Sequence, residues 1–116
     1  MKIELIPIEK IDPDVKNPRI QNDLRNLLED PSQANREQIF DALSARRDGE
    51  DGPTYAALRD SIKGTKGIVT PIMVKKATGD RYLCVEGNTR LCVYEALVEQ
   101  GEEDFKKIEA KIFEGE

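Results

Sequence analysis

The chain has 116 residues, of which 38% are hydrophobic and 35% are charged, and its formal net charge is −5. This length suits one domain with a modest core, and the negative charge argues against a surface devoted to neutralising nucleic-acid phosphates. Two cysteines and no histidine exclude a disulfide framework and make a zinc site untenable.

The first half of the chain predicts a strand, a loop and two helices. Residues 2–6 alternate as in a strand, and residues 11–20, with two prolines among Asp and Asn, predict an extended loop. From residue 23 to residue 47 the pattern is helical with a break at 30–32, which predicts two helices. Their apolar positions are Leu24, Leu27, Leu28, Ile39, Phe40 and Leu43.

The second half predicts a loop, a helix and then strands around one more helix. Residues 48–53 are rich in Gly and acids and predict a mobile acidic loop that lacks calcium-loop spacing. A helix should follow Pro53 and stop near Gly64, and a strand should cover 69–74 with Pro71 near its start. A turn at 78–80, a strand at 81–85, a helix from Asn88 to about residue 99 and a last strand at 107–113 complete an α+β chain.

The turn at Gly87 joins a strand directly to a helix and carries the main functional signal. A helix start offers unpaired N–H groups and the positive end of the helix dipole, which together favour an anion. Gly87 allows positive φ and a close approach, Asn88 is a predicted N-cap, and Thr89 and Arg90 add a hydroxyl and a planar fork of donors. These four residues predict a phosphate-binding site, and the alternative is an ordinary strand-to-helix turn.

Glu86 lies immediately before this predicted anion site. A carboxylate there repels an anion unless a cation bridges the two or the carboxylate has chemistry to do, such as accepting a proton or holding magnesium. We therefore take Glu86 as the candidate catalytic residue, with a structural ion pair to Arg90 as the alternative. The nearby Cys84 and Cys92 are expected to be buried small hydrophobes rather than redox groups.

Four segments of the chain resemble one known superfamily. They are residues 8–11 leading to NPR at 17–19, LRDSIKGTKGIVTPIMV at 58–74, YLCVEGNTRLCVYEAL at 82–97, and IEAKIF at 108–113. In this order and spacing they resemble the ParB/sulfiredoxin superfamily, specifically the ParB-like N-terminal domain. The resemblance implies a single α+β domain over 1–116, with a small mixed sheet, helices packed on it and an inserted helical pair at about 22–47.

The resemblance also implies a nucleotide site. Gly87 and Arg90 correspond to phosphate contacts, Arg19 would approach the same phosphates from its loop, and Thr70 and Pro71 would line the pocket. The expected ligand is a nucleoside triphosphate, CTP or ATP, with Mg²⁺ as a candidate companion and no metal site of the protein's own.

The chain departs from its relatives inside this turn. ParB proteins typically have Glu-Arg where this chain has Asn88-Thr89, which puts the usual CTP switch in doubt. Sulfiredoxin has its reactive Cys at the position of Asn88, so sulfinic-acid repair is excluded. A small-molecule kinase branch shares the acid before the glycine but has histidines that this chain lacks.

Three functions remain open from the sequence. The first is a nucleotide-binding domain of a cytoplasmic, DNA-associated system for plasmid, phage or chromosome partition or for defence. Whether it hydrolyses the nucleotide stays open. DNA would be contacted through a partner or a missing domain, and the chain could form a homodimer. The second is a DNA-binding protein or ParB-like nuclease, and the third is an interaction module with an inert pocket that docks through exposed residues of the helical pair. The second would use a basic face formed by Lys63, Lys66, Lys75, Lys76 and Arg81. No stretch of the sequence predicts a membrane span.

Overall fold

A computed structural model describes residues 2–25, 29–30, 33–44, 55–67 and 70–113, apart from the side chains of residues 19 and 23. In chain order the elements are strand β1 (Lys2–Pro7), a 3₁₀ turn (Ile8–Lys10), strand β2 (Ile11–Pro13), helices α1 (Pro18–Leu24), α2 (Arg36–Ser44) and α3 (Tyr55–Thr65), strands β3 (Ile72–Lys76) and β4 (Tyr82–Glu86), helix α4 (Asn88–Glu99), a second 3₁₀ turn (Glu103–Phe105), and strand β5 (Lys107–Phe113).

The five strands form one mixed sheet in the order β1-β5-β3-β4-β2. β5 pairs antiparallel with β1 and parallel with β3, and β4 pairs antiparallel with β3 and parallel with β2. The period-two pattern in β5 decides which face is buried, since Ile108, Ala110 and Ile112 lie in the core while their neighbours along the strand are more exposed. The sequence correctly predicted this strand and its buried positions.

Helix α4 is the central helix of the fold. It contacts α2, α3, β3 and the second 3₁₀ turn. Four consecutive residues, Leu91, Cys92, Val93 and Tyr94, are buried, because a helix surrounded by other elements keeps no single polar face at that point. The ring of Tyr94 meets that of Phe105 edge to face, with centroids 5.2 Å apart.

The helices of the predicted insertion contribute to the same core. Leu24, Ile39, Phe40 and Leu43 are buried, and α2 packs on α4. Leu27 and Leu28 lie outside the described residues. Exposure of Leu24, Ile39 and Phe40 would have supported the interaction-module hypothesis, and their burial against the domain does not support it.

Arg36, at the start of α2, holds this insertion to the rest of the domain. Its guanidinium lies 2.7 Å from the Glu95 carboxylate on α4 and donates to the carbonyls of Ile8, at 3.1 Å, and Ile11. The same group lies 4.9 Å from the centre of the Phe40 ring. Arg36 therefore connects α2, α4 and the β1–β2 connection, a role that its isolated position in the sequence did not reveal.

Three predicted boundaries change in the structure. α1 spans Pro18–Leu24, whereas the predicted first helix began near residue 23 and continued to the break at 30–32. The helix starts earlier because proline suits a first helical position. Part of the predicted loop at 11–20 is strand β2, which pairs with β4. β3 begins at Ile72 rather than residue 69. The predicted mobile loop at 48–53 lies outside the described residues, and no helix in the described part of the chain is long and apolar enough to cross a membrane.

Candidate functional site

The turn between β4 and α4 requires glycine. Gly87 has φ 104° and ψ 24°, a left-handed conformation that side chains disfavour. A Cβ at this position would lie 2.5 Å from Cγ2 of Ile72, a buried residue of β3, and 2.9 Å from Nη2 of Arg90. The positive φ predicted from the sequence is present, and the bare glycine lets β3 and the Arg90 side chain come close to the turn.

The amino end of α4 lies at this turn. The first bond within the helix runs from the Leu91 N–H to the Gly87 carbonyl, at 3.0 Å. The N–H groups of Asn88, Thr89 and Arg90 precede that bond and therefore have no carbonyl partner within the helix. They and the helix dipole make this end of α4 electropositive.

Asn88 does not act as the predicted N-cap. The N-cap residue is Gly87, which forms no side-chain cap, and Asn88 is the first residue of α4. Its side chain is buried, and its Oδ1 accepts a hydrogen bond of 3.3 Å from the backbone N–H of Asp14. The left-handed glycine sets the start of the helix, so the Asn88 amide instead ties the turn to the segment that follows β2.

The Arg90 side chain folds back across the start of α4. It is 19% exposed; Nη1 donates to the carbonyl of Thr70, and Nη2 lies 3.5 Å from Oε1 of Glu86. Glu86 itself is 66% exposed. Arg90 is thus positioned beside Gly87 by a backbone carbonyl and a solvent-facing carboxylate, and the ion pair considered from the sequence is present.

The structure brings most of the predicted site residues together. Thr70, Glu86, Gly87 and Arg90 are linked by the contacts above, and the half-buried Pro71 lies between Thr70 and the Ile72 side chain that meets the turn. Thr89 is half-buried in the first turn of α4. The side chain of Arg19 lies outside the described residues, although its backbone belongs to α1.

A family model for the ParB N-terminal domain matches residues 1–112. The chain belongs to the ParB N-terminal domain family. The match confirms the resemblance carried by the four sequence segments. No curated protein matches this sequence.

Solved structures share the fold of this ParB N-terminal domain. A truncated chromosome-partitioning protein ParB from Caulobacter crescentus, complexed with CTP-γ-S, is 19% identical with a TM-score of 0.56, covering 100% of this chain and 46% of that one. Sulfiredoxin from Arabidopsis thaliana is 21% identical with a TM-score of 0.54, and the match covers 99% of this chain and 88% of sulfiredoxin. C-terminally truncated SbnI from Staphylococcus aureus is 18% identical with a TM-score of 0.50, and the match covers 96% of this chain and 30% of the SbnI chain. The α+β ParB/sulfiredoxin-like fold is therefore confirmed, and this chain spans less than half the length of the ParB and SbnI chains.

The predicted basic face of this ParB N-terminal domain is partly neutralised. Arg81 binds Asp12 through two donors, at 2.8 and 2.7 Å, and donates to the Glu9 carbonyl at 3.0 Å. The hydrogen bond from Arg81 is the main cause that lowers the pKa of the Asp12 carboxyl. Lys63 pairs with Glu102 at 3.7 Å. Two of the five proposed cations thus face carboxylates of the protein, while Lys66, Lys75 and Lys76 are exposed.

The two cysteines are core residues. Cys84 and Cys92 are 0% and 4% exposed, and burial raises the pKa of each thiol to about 12. The thiols therefore stay protonated at neutral pH and are poor nucleophiles, as expected from the sequence. Within the described ranges, no group of three or more Cys, Asp or Glu side chains is arranged to hold a metal ion.

Proposed function

We propose that this domain binds the phosphates of a nucleoside triphosphate, CTP or ATP, at the amino end of α4. The observation that carries the proposal is the arrangement at Gly87, where helix N–H groups without a partner in the helix lie beside a guanidinium held by Thr70 and Glu86. A phosphate group accepts hydrogen bonds from such amides and a bidentate pair from arginine. The CTP-γ-S complex of the ParB structure with the same fold supports a nucleotide as the ligand.

Each residue at the turn has a distinct role in the proposal. Arg90 and the N–H groups of the first turn bind phosphate oxygens, the Thr89 hydroxyl adds a donor, and Arg19 approaches from α1. Thr70 and Pro71 line the pocket. Glu86, which faces solvent beside Arg90, would orient a water molecule or hold a Mg²⁺ ion that accompanies the triphosphate.

A thermal-shift titration tests phosphate binding. The melting temperature is measured with CTP, ATP, GTP and their diphosphates, with and without Mg²⁺. A ligand at 100 times its dissociation constant adds about 2.7 kcal/mol to the stability of the folded state. We expect at least one nucleotide to raise the melting temperature of the wild type and to have no such effect on Arg90→Ala.

Arg59→Ala is the matched control for that variant. Arg59 lies on α3 and forms an ion pair of 3.4 Å with the adjacent Asp60. Arg59→Ala also removes one positive charge, but on α3 rather than at the Gly87 turn. It should leave the nucleotide-induced rise in melting temperature unchanged. Flat curves for every nucleotide with the wild type would contradict the proposal, as would equal shifts in Arg90→Ala.

The catalytic role of Glu86 has its own test. We expect Glu86→Gln to retain nucleotide binding and to lower any release of inorganic phosphate, because the amide cannot accept a proton or bind a cation as a carboxylate does. Turnover equal to that of the wild type would remove Glu86 from the chemistry while leaving the binding proposal intact.

We also propose that the domain acts in a DNA-associated partition or defence system and contacts DNA through a partner or a further domain. Family membership supports the system. The net charge of −5 and the neutralised Arg81 and Lys63 argue against tight duplex binding by this domain alone. We expect no duplex binding by the 116-residue chain near physiological salt in a fluorescence-anisotropy titration, and salt-dependent binding at submicromolar concentration would contradict this.

A further inference from the structure

Strand β1 forms one edge of the sheet. It pairs with β5 on one side, and no residue in the described part of the chain pairs with its other side. It is six residues long, and Lys2 through Leu5 are all exposed. Edge strands normally carry a covering element, a bulge or inward charges that prevent pairing with another chain. β1 ends in Pro7, and its Lys2 and Glu4 lie on the face of the sheet that carries the buried Ala110 and Ile112 of β5. Such charges oppose pairing with another strand unless that strand brings an opposite charge to each of them.

The side chains of β1 sort into an apolar and a charged pair. Ile3 and Leu5 are 55% and 60% exposed and lie on the same face of the sheet as their β5 partners Lys111 and Glu109. Lys2 and Glu4 lie on the opposite face, with 3.8 Å between the Lys2 ammonium and the Glu4 carboxylate. In the folded domain, β1 thus combines an unpaired backbone edge, exposed aliphatic side chains and two opposite charges two residues apart.

We propose that the open edge of β1 pairs antiparallel with β1 of a second copy of this chain, which joins the two sheets across a twofold axis at Ile3. In this register Ile3 faces its own copy, and Lys2 of each copy faces Glu4 of the other. A twofold axis makes such a contact self-complementary, so both copies use the same patch. The inference does not depend on nucleotide binding at the Gly87 turn.

The charges favour this register over the others that keep the buried faces of the two sheets on the same side. Shifting the axis to Glu4 places Glu4 directly opposite its own copy, and like charges directly opposed in a sheet are destabilising. Shifting it further, to Leu5, brings Pro7 into the ladder opposite Ile3, where proline has no N–H to donate. With the axis at Ile3, both Lys2 and Glu4 meet an opposite charge, which is the favourable cross-strand arrangement.

The exposed aliphatic side chains add to the same contact. With Ile3 opposite its copy, each Leu5 is diagonal to the Ile3 of the other copy, at about 7–8 Å, a distance that long side chains can bridge. The four side chains would shield one another from water on the outer face of the joined sheet. One pair of short strands buries less than the roughly 1,200 Å² of a stable interface, so we expect a concentration-dependent dimer.

Charge reversal tests the contact. Sedimentation velocity over a concentration series should show reversible dimerisation of the wild type. Glu4→Lys and Lys2→Glu each turn two attractive pairs into two repulsive ones and should weaken the dimer roughly tenfold or more. The double variant K2E/E4K restores opposite charges and should recover dimerisation. Glu99→Lys, an exposed position at the end of α4, makes the same charge change as Glu4→Lys away from β1 and should have no effect.

Single cysteines test the register independently. Directly opposed residues in antiparallel strands have Cβ atoms about 4.5–5.5 Å apart, close enough for a disulfide after small adjustments. Ile3→Cys should therefore form a covalent dimer under mild oxidation, whereas Glu4→Cys and Leu5→Cys should not, and the buried Cys84 and Cys92 should not compete. Melting curves establish that each variant is folded. A monomeric wild type at all concentrations, failure of the double variant to restore the dimer, or equal crosslinking at the three positions would overturn the proposal.

Discussion

Replacing Gly87 with alanine should be among the most damaging single changes in this chain. The backbone there has φ 104°, and a left-handed conformation costs an L-residue about 1–2 kcal/mol. The new methyl group would also lie 2.5 and 2.8 Å from two Ile72 carbons, well inside the usual contact of about 3.5–4.0 Å. Ile72 is fully buried, so it has little room to yield, and overpacking of this kind costs about 1–3 kcal/mol.

The two effects together predict a loss of about 2–5 kcal/mol in the free energy of unfolding. That is a large share of the roughly 5–15 kcal/mol that stabilises a typical domain. At about 4 °C per kcal/mol, the melting temperature should fall by roughly 8–20 °C. Thermal and urea unfolding followed by circular dichroism would measure the change, with an unchanged urea m-value indicating that stability alone is altered.

Gly101→Ala is the matched control for this experiment. Gly101 also has a positive φ, of 95°, but a Cβ added there would have no atom within 4 Å beyond its own chain neighbours. It should therefore show the backbone cost of about 1–2 kcal/mol without the steric cost. The difference between the two variants isolates the overlap with Ile72, and a Gly87→Ala protein as stable as Gly101→Ala would refute the reasoning.

Three further predictions follow from contacts outside the turn. Arg36→Ala should lower the free energy of unfolding by about 2–3 kcal/mol, because it leaves the Glu95 carboxylate and the backbone carbonyls without their donor. Arg36→Lys should recover part of this loss in urea titrations, and full recovery would show that the planar guanidinium is unimportant. Because Arg81 lowers the pKa of Asp12 in the folded state, this carboxylate stabilises the fold above its unfolded pKa of about 3.9 and loses that effect as the pH falls through the lowered value. Asp12→Asn should therefore be less stable than the wild type at pH 7, and the difference in the free energy of unfolding should shrink as the pH falls below about 3.9. A difference that does not change with pH would contradict the assignment. Cys84 and Cys92 should not react with a thiol reagent at pH 8 until the protein unfolds, and rapid native labelling would show that they are accessible.

Local pattern was sufficient to predict several elements of this domain. β4, the turn and α4 were predicted within one residue, because an apolar β-favouring run, a glycine and a helical repeat are each read from neighbouring residues. The alternation in β5 likewise predicted its buried side chains. The clustering of Thr70 with Gly87 and Arg90 came instead from the family resemblance, since no local pattern relates residues that far apart.

Other features depended on contacts between distant segments. Strand β2 forms because Ile11–Pro13 pair with Tyr82–Cys84, whereas the sequence of these residues predicts a loop. Asn88 has the composition of an N-cap, yet it binds the N–H of Asp14, 74 residues earlier in the chain. The sequence placed Arg81 on a basic face, and only the proximity of Asp12 in the folded sheet neutralises it.

The sequence by itself determined the order of the elements after residue 55, the glycine turn and the family of the domain. These depend on side-chain period, turn chemistry and short motifs, all of which act over a few consecutive residues. Only the tertiary structure decided which groups the charged and polar side chains meet across long stretches of sequence, including Glu95 for Arg36 and Asp12 for Arg81. The physical reason is that an ion pair or hydrogen bond needs its two groups within about 3–4 Å, and the packing of the whole chain sets that distance.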